Sequence, residues 1–283
     1  MVVIHSAITG EKDDAVVTAR GATYDRAMSQ TVTVHFLPAA FEPPLLQGSV
    51  AIVLDVLRAT TTIVQALAAG ATRVIATETI DEARRRFADL PGGTALLGGE
   101  RGGVRIEGFS LGNSPLEYTP DVVAGKSICL TTTNGTRALA RCRHARHVLV
   151  GAFSNLRAVV AAVGSSGLPC HIVCAGTDGH VTAEDVLCAG AIACELEKGY
   201  ADALILDDSA RVASAFWQTV MPGPALREAM RGSRGGLNLV ELGYDRDIDR
   251  CAEIDCCDLV PEFSGDDGVI VPMLMKVPQS PRA

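Results

Sequence analysis

From Val32 onward the chain alternates short apolar runs with amphipathic stretches in a regular order. TVTVHFLP reads as an alternating strand, and AIVLDVL (51–57) as a continuously apolar strand interrupted by Asp55 near its carboxyl end. IVQALAAG (63–70) has helical spacing and stops at Gly70, after which TRVIAT is the next strand. TIDEARRRFADL opens with Thr79 and has Glu82 three places on, the capping-box spacing of a surface helix that ends at Pro91-Gly92. SICLTTT (127–133) and HVLVGAF are strands, followed by the helices NGTRALARC and NLRAVVAAVGSSG. CHIVCAG then leads into the long helix TAEDVLCAGAIACELEKGY, closed at Gly199.

Continuously apolar strands suit a sheet buried on both faces. The recurrence of strand, polar loop and helix predicts parallel strands joined by helical crossovers. The expected fold is therefore α/β, with layered sheet, helices on both faces, and ligand-binding groups at the carboxyl ends of the strands. Two regions break the rhythm. TALLGGERGGVRIEGFSLGNSPLEYT reads as a glycine-rich loop too long for a tight turn, the kind that is usually functional or disordered. Beyond about Ala203 helical stretches lead to a proline-rich tail, VIVPMLMKVPQSP, whose place in the fold the pattern leaves open. Residues 1–30, polar and of mixed charge, read as a loosely attached extension; 31–283 form the α/β domain, long enough to divide into two lobes near residue 120.

Hydrophobic residues make up 48% of the chain and aromatics only 4%, which fits Val/Ile/Leu strands covered by Ala-rich helices better than an aromatic β-sandwich. No apolar run approaches the roughly 20 residues needed to cross a bilayer, and no basic segment precedes an apolar one at the N-terminus, so a soluble cytoplasmic protein is expected. The nine cysteines are odd in number and form no C-x-x-C, which points to reduced thiols and away from thiolate zinc. A net charge of −8 without a basic block disfavours a nucleic-acid partner. Any anionic ligand must then be attracted locally, by a metal ion, single arginines or helix N-termini.

Three loops carry such devices. TTTNGT places Thr132, Thr133, Asn134 and Gly135 at the start of a helix, where small hydroxyl residues and glycine let an anion approach unsatisfied N–H groups. DVLRATTT repeats the composition, with Asp55 and Arg58 ahead of Thr60, Thr61 and Thr62. Simple N-capping accounts equally for either loop alone. In CAGTDGHVTAED (174–185), Thr182 and Asp185 have capping-box spacing, while Asp178, His180 and Glu184 add charge. If this loop shares an edge with Asp55, the carboxylates converge on a hard cation; Mg²⁺ needs only one or two of them besides water and phosphate oxygens. GGERGG adds Glu100 and Arg101. Other phosphate chemistries fail on spacing: no G-x-G-x-x-G opens a helix, Gly125-Lys126-Ser127 leads into a strand, no arginine follows Cys174 by six, and no D-x-D ends AIVLDVL.

The stretches DVLRATTTI, LGGERGG with GFSLGNSPLEY, TTTNGTRA and CAGTDGHVTAEDVLCAG, in that order, resemble the 2-phosphosulfolactate phosphatase family from about Val34 to Val271. The resemblance implies a Mg²⁺-dependent acid phosphatase of distinctive α/β fold. Such an enzyme removes phosphate from 2-phosphosulfolactate to leave sulfolactate, a step of coenzyme M biosynthesis. Two features depart from the family pattern: the N-terminal stretch, and Arg234 in GSRGGLNLVELGYD, where histidine or another polar residue is expected.

The resulting expectation is metal-assisted phosphomonoester hydrolysis, with Asp55, Arg58 and Glu184 catalytic. Asp55, Glu184, Asp185 and Glu100 are the candidate Mg²⁺ ligands, and Thr60, Thr61, Arg101, Thr132, Thr133, Asn134 and Gly135 the candidate phosphate contacts. The attacking group is either water or a carboxylate such as Asp55. The expected partner is a small phosphorylated anion, and a homodimer is compatible with an enzyme of this size. Two rivals remain: a non-catalytic binder of a phosphorylated or sulfonated anion, and an isomerase or lyase for which phosphate is a handle.

Overall fold

Every residue of the strand Val50–Leu54 is buried. Ile52 and Leu54 face one hydrophobic core and Ala51 and Val53 another. That two-sided burial is the reason for its uninterrupted apolar sequence. The computed structural model describes residues 15–17, 23–25, 30–201, 203–220 and 224–273. Most of the N-terminal extension and the end of the proline-rich tail lie outside the described residues; Ala15–Val17 and Thr23–Asp25 form a separate antiparallel pair.

The first half of the main domain contains β1 (Gln30–His35), β2 (Val50–Leu54), α1 (Ala59–Ala68), β3 (Arg73–Ala76), α2 (Ile80–Ala88), β4 (Ala95–Arg101), β5 (Val104–Arg105) and α3 (Pro120–Val123). There follow β6 (Ser127–Thr131), α4 (Gly135–Arg141), β7 (His147–Gly151), α5 (Leu156–Ser166), β8 (Cys170–Cys174), α6 (Ala183–Tyr200) and β9 (Leu204–Leu206). The chain continues through α7 (Asp208–Val220), α8 (Pro224–Arg231), α9 (Arg234–Glu241), α10 (Asp245–Cys251), β10 (Pro261–Phe263) and β11 (Val269–Pro272).

Among the described residues eleven strands form one sheet in the order β9-β1-β8-β2-β7-β10-β11-β3-β6-β4-β5. Strands from before and after residue 120 interleave in it: β8 lies between β1 and β2, and β6 between β3 and β4. Two parallel blocks, β9-β1-β8-β2-β7 and β3-β6-β4, are bridged by β10 and β11, which pair antiparallel to each other and to β7 and β3. The stretch after residue 203 thus supplies the seam of the sheet.

The sheet folds over at that seam. Val53 and Val150 of one block and Val74, Ile128 and Leu130 of the other share a single core with Ile63 and Val64 of α1 and Leu139 of α4. Helices α5 and α6 cover the outer face of the larger block, and α2 covers the outer face of the smaller. The layers are therefore α, β, α, β, α, as the expectation of layered sheet with helices on both faces requires.

Two local assignments differ from the sequence reading. ALLGGER is strand β4, not loop. Helix α1 begins at Ala59, four residues before the apolar spacing starts. Threonine is a poor helix former because it is branched at Cβ, but all three hydroxyls here are engaged. Thr60 Oγ1 accepts from the Asp55 N–H, while Thr61 and Thr62 donate to the carbonyls of Val56 and Asn113.

Candidate active site

Asp55 directly follows β2, at the carboxyl end of its block. In sheet order β2 and β4 stand six places apart, roughly 29 Å on a flat sheet. Yet Asp55 and Glu100 line one small cleft of about 70 Å³, together with Arg58, Thr133 and Asn134. The overturned sheet and the abutting starts of α1 and α4 achieve this. A Cβ at Gly135 would lie 2.6 Å from Ala59 Cβ and 2.7 Å from Asp55 Oδ2, so glycine is what allows α4 to begin there.

Four acidic groups gather at this point, each at most 8% exposed: Asp55, Glu100, Glu184 and Asp185. Burial, reinforced by the charges of Glu100 and Glu184, pushes the Asp55 carboxyl up to about 7 even though the Ala59 and Gly135 amides oppose the shift. Burial also raises Glu184, whose Oε2 has no hydrogen-bond partner. Asp185 is raised by burial and by its neighbours Glu184 and Asp55. Glu100 Oε1 accepts from the Thr133 N–H at 2.7 Å, and its Oε2 accepts from the Gly103 N–H at 2.8 Å and the Thr133 hydroxyl at 3.2 Å.

Arg58 forms the cationic wall. Its Nη1 donates to Asp247 Oδ2 at 2.5 Å and its Nη2 to the Gly103 carbonyl at 2.7 Å, and the guanidinium lies 4.4 Å from the Tyr244 ring centroid. Ser114 Oγ donates to the other Asp247 oxygen at 2.6 Å. Asn113, Asn238 and Asp178 also line the cleft, and Asn113 Oδ1 is buried without a partner.

Comparison with known proteins supplies the decisive observation. The family pattern described as 2-phosphosulpholactate phosphatase matches residues 36–266. The chain belongs to that family. Relatives carrying the name probable 2-phosphosulfolactate phosphatase include one from Deinococcus radiodurans, 41% identical over 237 residues, covering 83% of this chain and 94% of the relative. Another, from Caldicellulosiruptor saccharolyticus, is 37% identical over 226 residues, covering 77% of this chain and 90% of the relative. The family match covers every cleft residue named above and, apart from β1, every strand of the two parallel blocks.

Within this family member the expected site residues divide into three groups. Asp55, Arg58, Glu100, Thr133 and Asn134 line the cleft, and Glu184 packs beside it, where a Cβ on the cleft residue Gly235 would lie 2.4 Å from Glu184 Oε1. A second group supports the loops. Thr60 and Thr61 are tied to backbone groups, Thr132 Oγ1 accepts from the Thr136 N–H at 3.2 Å, and Gly135 gives α4 its close approach. Asp185 does not cap α6 through Thr182, as the spacing predicts. Its two oxygens instead accept from the Val56 and Gly176 N–H groups at 2.9 and 3.0 Å, clamping the loops after β2 and β8 together. The third case is Arg101, a correction: it lines a separate hollow with Arg137 on the far side of β4. Neighbouring residues of a strand point to opposite faces, so Glu100 in the cleft sends Arg101 out of it.

Arg234 is exposed and outside the cleft lining, and His180 is exposed in its loop. Sequence reading missed Asp247, Ser114, Asn113 and Asn238. LGNSPLEY and GGLNLVELGYD contain Ser114, Asn113 and Asn238 and could have flagged them, whereas Asp247 lies just beyond the second. No helix among the described residues is long and apolar enough to cross a membrane.

Proposed function

We propose that this cleft hydrolyses a small phosphomonoester, with Mg²⁺ as its metal ion and 2-phosphosulfolactate, the substrate in its relatives' names, as first choice. One observation carries the reading: Asp55, Glu100 and Glu184 are buried side by side while the cleft's arginine is already paired with Asp247. Such an uncompensated cluster is costly in a low-dielectric interior and suits a hard cation. Among the described residues no three acidic, imidazole or thiol groups form a ready-made cage. Mg²⁺ takes its remaining ligands from water and phosphate oxygens, so an incomplete set fits it.

Asp55 and Glu184 would hold the ion, with Glu100, fixed in orientation by Thr133 and Gly103, adding negative charge beside it. When bound, Mg²⁺ supplies neutralisation of charge on the phosphate oxygens. Arg58 uses Nη1 and Nη2 for Asp247 and Gly103, which leaves further N–H donors of its guanidinium for the anion. Hydrolysis adds water across the P–O ester bond: oxygen attacks phosphorus, the ester oxygen leaves and gains a proton, and inorganic phosphate forms. The raised proton affinity of Asp55 belongs to the metal-free cleft, since a bound cation would hold its carboxyl ionised.

The test is phosphate release from a panel of phosphorylated hydroxy acids with and without a sulfonate. Turnover that stops with EDTA and returns with Mg²⁺ supports the reading. Binding without release would make the protein a non-catalytic anion binder, and product that retains phosphate would make it an isomerase or lyase.

A further inference from the structure

Arg101 leads to a second site. The hollow it lines, about 770 Å³ in volume, also receives Arg84 from α2, Arg105 from β5 and Arg137 from α4. Four segments thus bring four guanidinium groups together in a chain whose net charge is −8. None of the four forms an ion pair with a carboxylate among the described residues, although Glu78, Asp81 and Glu107 line the same hollow. Arg101 is held in place by neutral acceptors, the carbonyls of Glu100 and Glu78 and the Thr131 hydroxyl, so its charge stays available. Burial, opposed by Glu100 and reinforced by the like charge of Arg137, lowers its proton affinity; a bound anion would relieve both unfavourable effects.

We infer that this hollow binds a compact polyanion of the pyrophosphate or bisphosphate class, separately from the substrate in the cleft. Planar guanidinium groups matched to phosphate oxygens give such recognition its strength and direction. The β4–β5 hairpin walls both sites: Glu100 and Gly103 face the cleft while Arg101 and Arg105 face the hollow. An anion that braces the hairpin would therefore also brace the Gly103 carbonyl that holds Arg58.

The inference stands independently of the proposed reaction and is tested by binding. Inorganic pyrophosphate is titrated calorimetrically into the full-length protein in EDTA, which keeps metal-dependent binding out of the cleft. Saturable binding is expected for the wild type, weakened at least tenfold in R105A/R137A and unchanged in R211A/R227A, which removes the same charge from exposed positions elsewhere. Absence of saturable binding to the wild type, equal binding by R105A/R137A, or equal weakening by the two double variants would overturn it.

Discussion

Arg58 and Asp247 form an ion pair at 2.5 Å in which both side chains are at most 3% exposed, although 189 residues separate them. The pair joins the loop after β2 to α10 and fixes one wall of the cleft. Removing one partner strands the other charge in the interior. We expect Asp247→Ala to lower stability by about 3–5 kcal/mol, and the double variant Arg58→Ala/Asp247→Ala to recover part of that loss. Urea denaturation of the two single variants and the double variant measures the coupling. Additive losses would mean that the pair does not hold the wall.

Gly135 tests the contact between the sheet's two blocks. With Asp55 Oδ2 at 2.7 Å and Ala59 Cβ at 2.6 Å from where a Cβ would stand, Gly135→Ala must displace Asp55 or α4. Phosphate release should fall at least tenfold while the far-UV circular dichroism spectrum keeps its shape. Unchanged activity would show that the placement of Asp55 tolerates the shift and does not set the rate.

The raised Asp55 carboxyl makes stability depend on pH in a definite direction. Its folded value, about 7, exceeds its ordinary 3.8, so protonation favours the folded state. In metal-free protein the contribution is complete below pH 3.8 and is lost as pH rises through about 7, a change of roughly 4 kcal/mol. His35, lowered to about 4 by burial and by His171, acts in the opposite direction because its proton favours the unfolded chain. The difference between wild-type and Asp55→Asn unfolding curves in EDTA isolates the Asp55 contribution. The variant should gain stability over the wild type as pH rises toward neutral, and added Mg²⁺ should restore wild-type stability most strongly there, where it no longer competes with a proton. A variant that gains nothing over the wild type between acid and neutral pH in EDTA would refute the assignment.

How legible all this is from sequence depends on the range of the interaction. The continuously apolar VAIVL announces a strand buried on both faces, and β2 is one. Asp55, Arg58, Glu100, Thr133 and Asn134 stand where their loops suggest, at the carboxyl ends of strands or just beyond them. The overturning of the sheet is not legible, because it depends on β10 and β11 bridging β7 and β3 from the far end of the chain. Asp247 is hidden for the same reason: its partner is remote in sequence. The threonines show a different limit. Composition shows that TTTNGT and RATTT carry many small polar groups, but not whether these face a ligand or one another. Here Thr60, Thr61 and Thr132 satisfy their own loops, and Thr133 holds Glu100.

The account rests on separated carboxylates sharing one divalent ion, and Mg²⁺ titration of the metal-free protein by calorimetry tests that most directly. It should show one ion per chain, with affinity weakened on the order of 100-fold in Asp55→Asn and in Glu184→Gln. Saturable binding that neither substitution changes, or no binding to the folded wild type with or without phosphate, would contradict it.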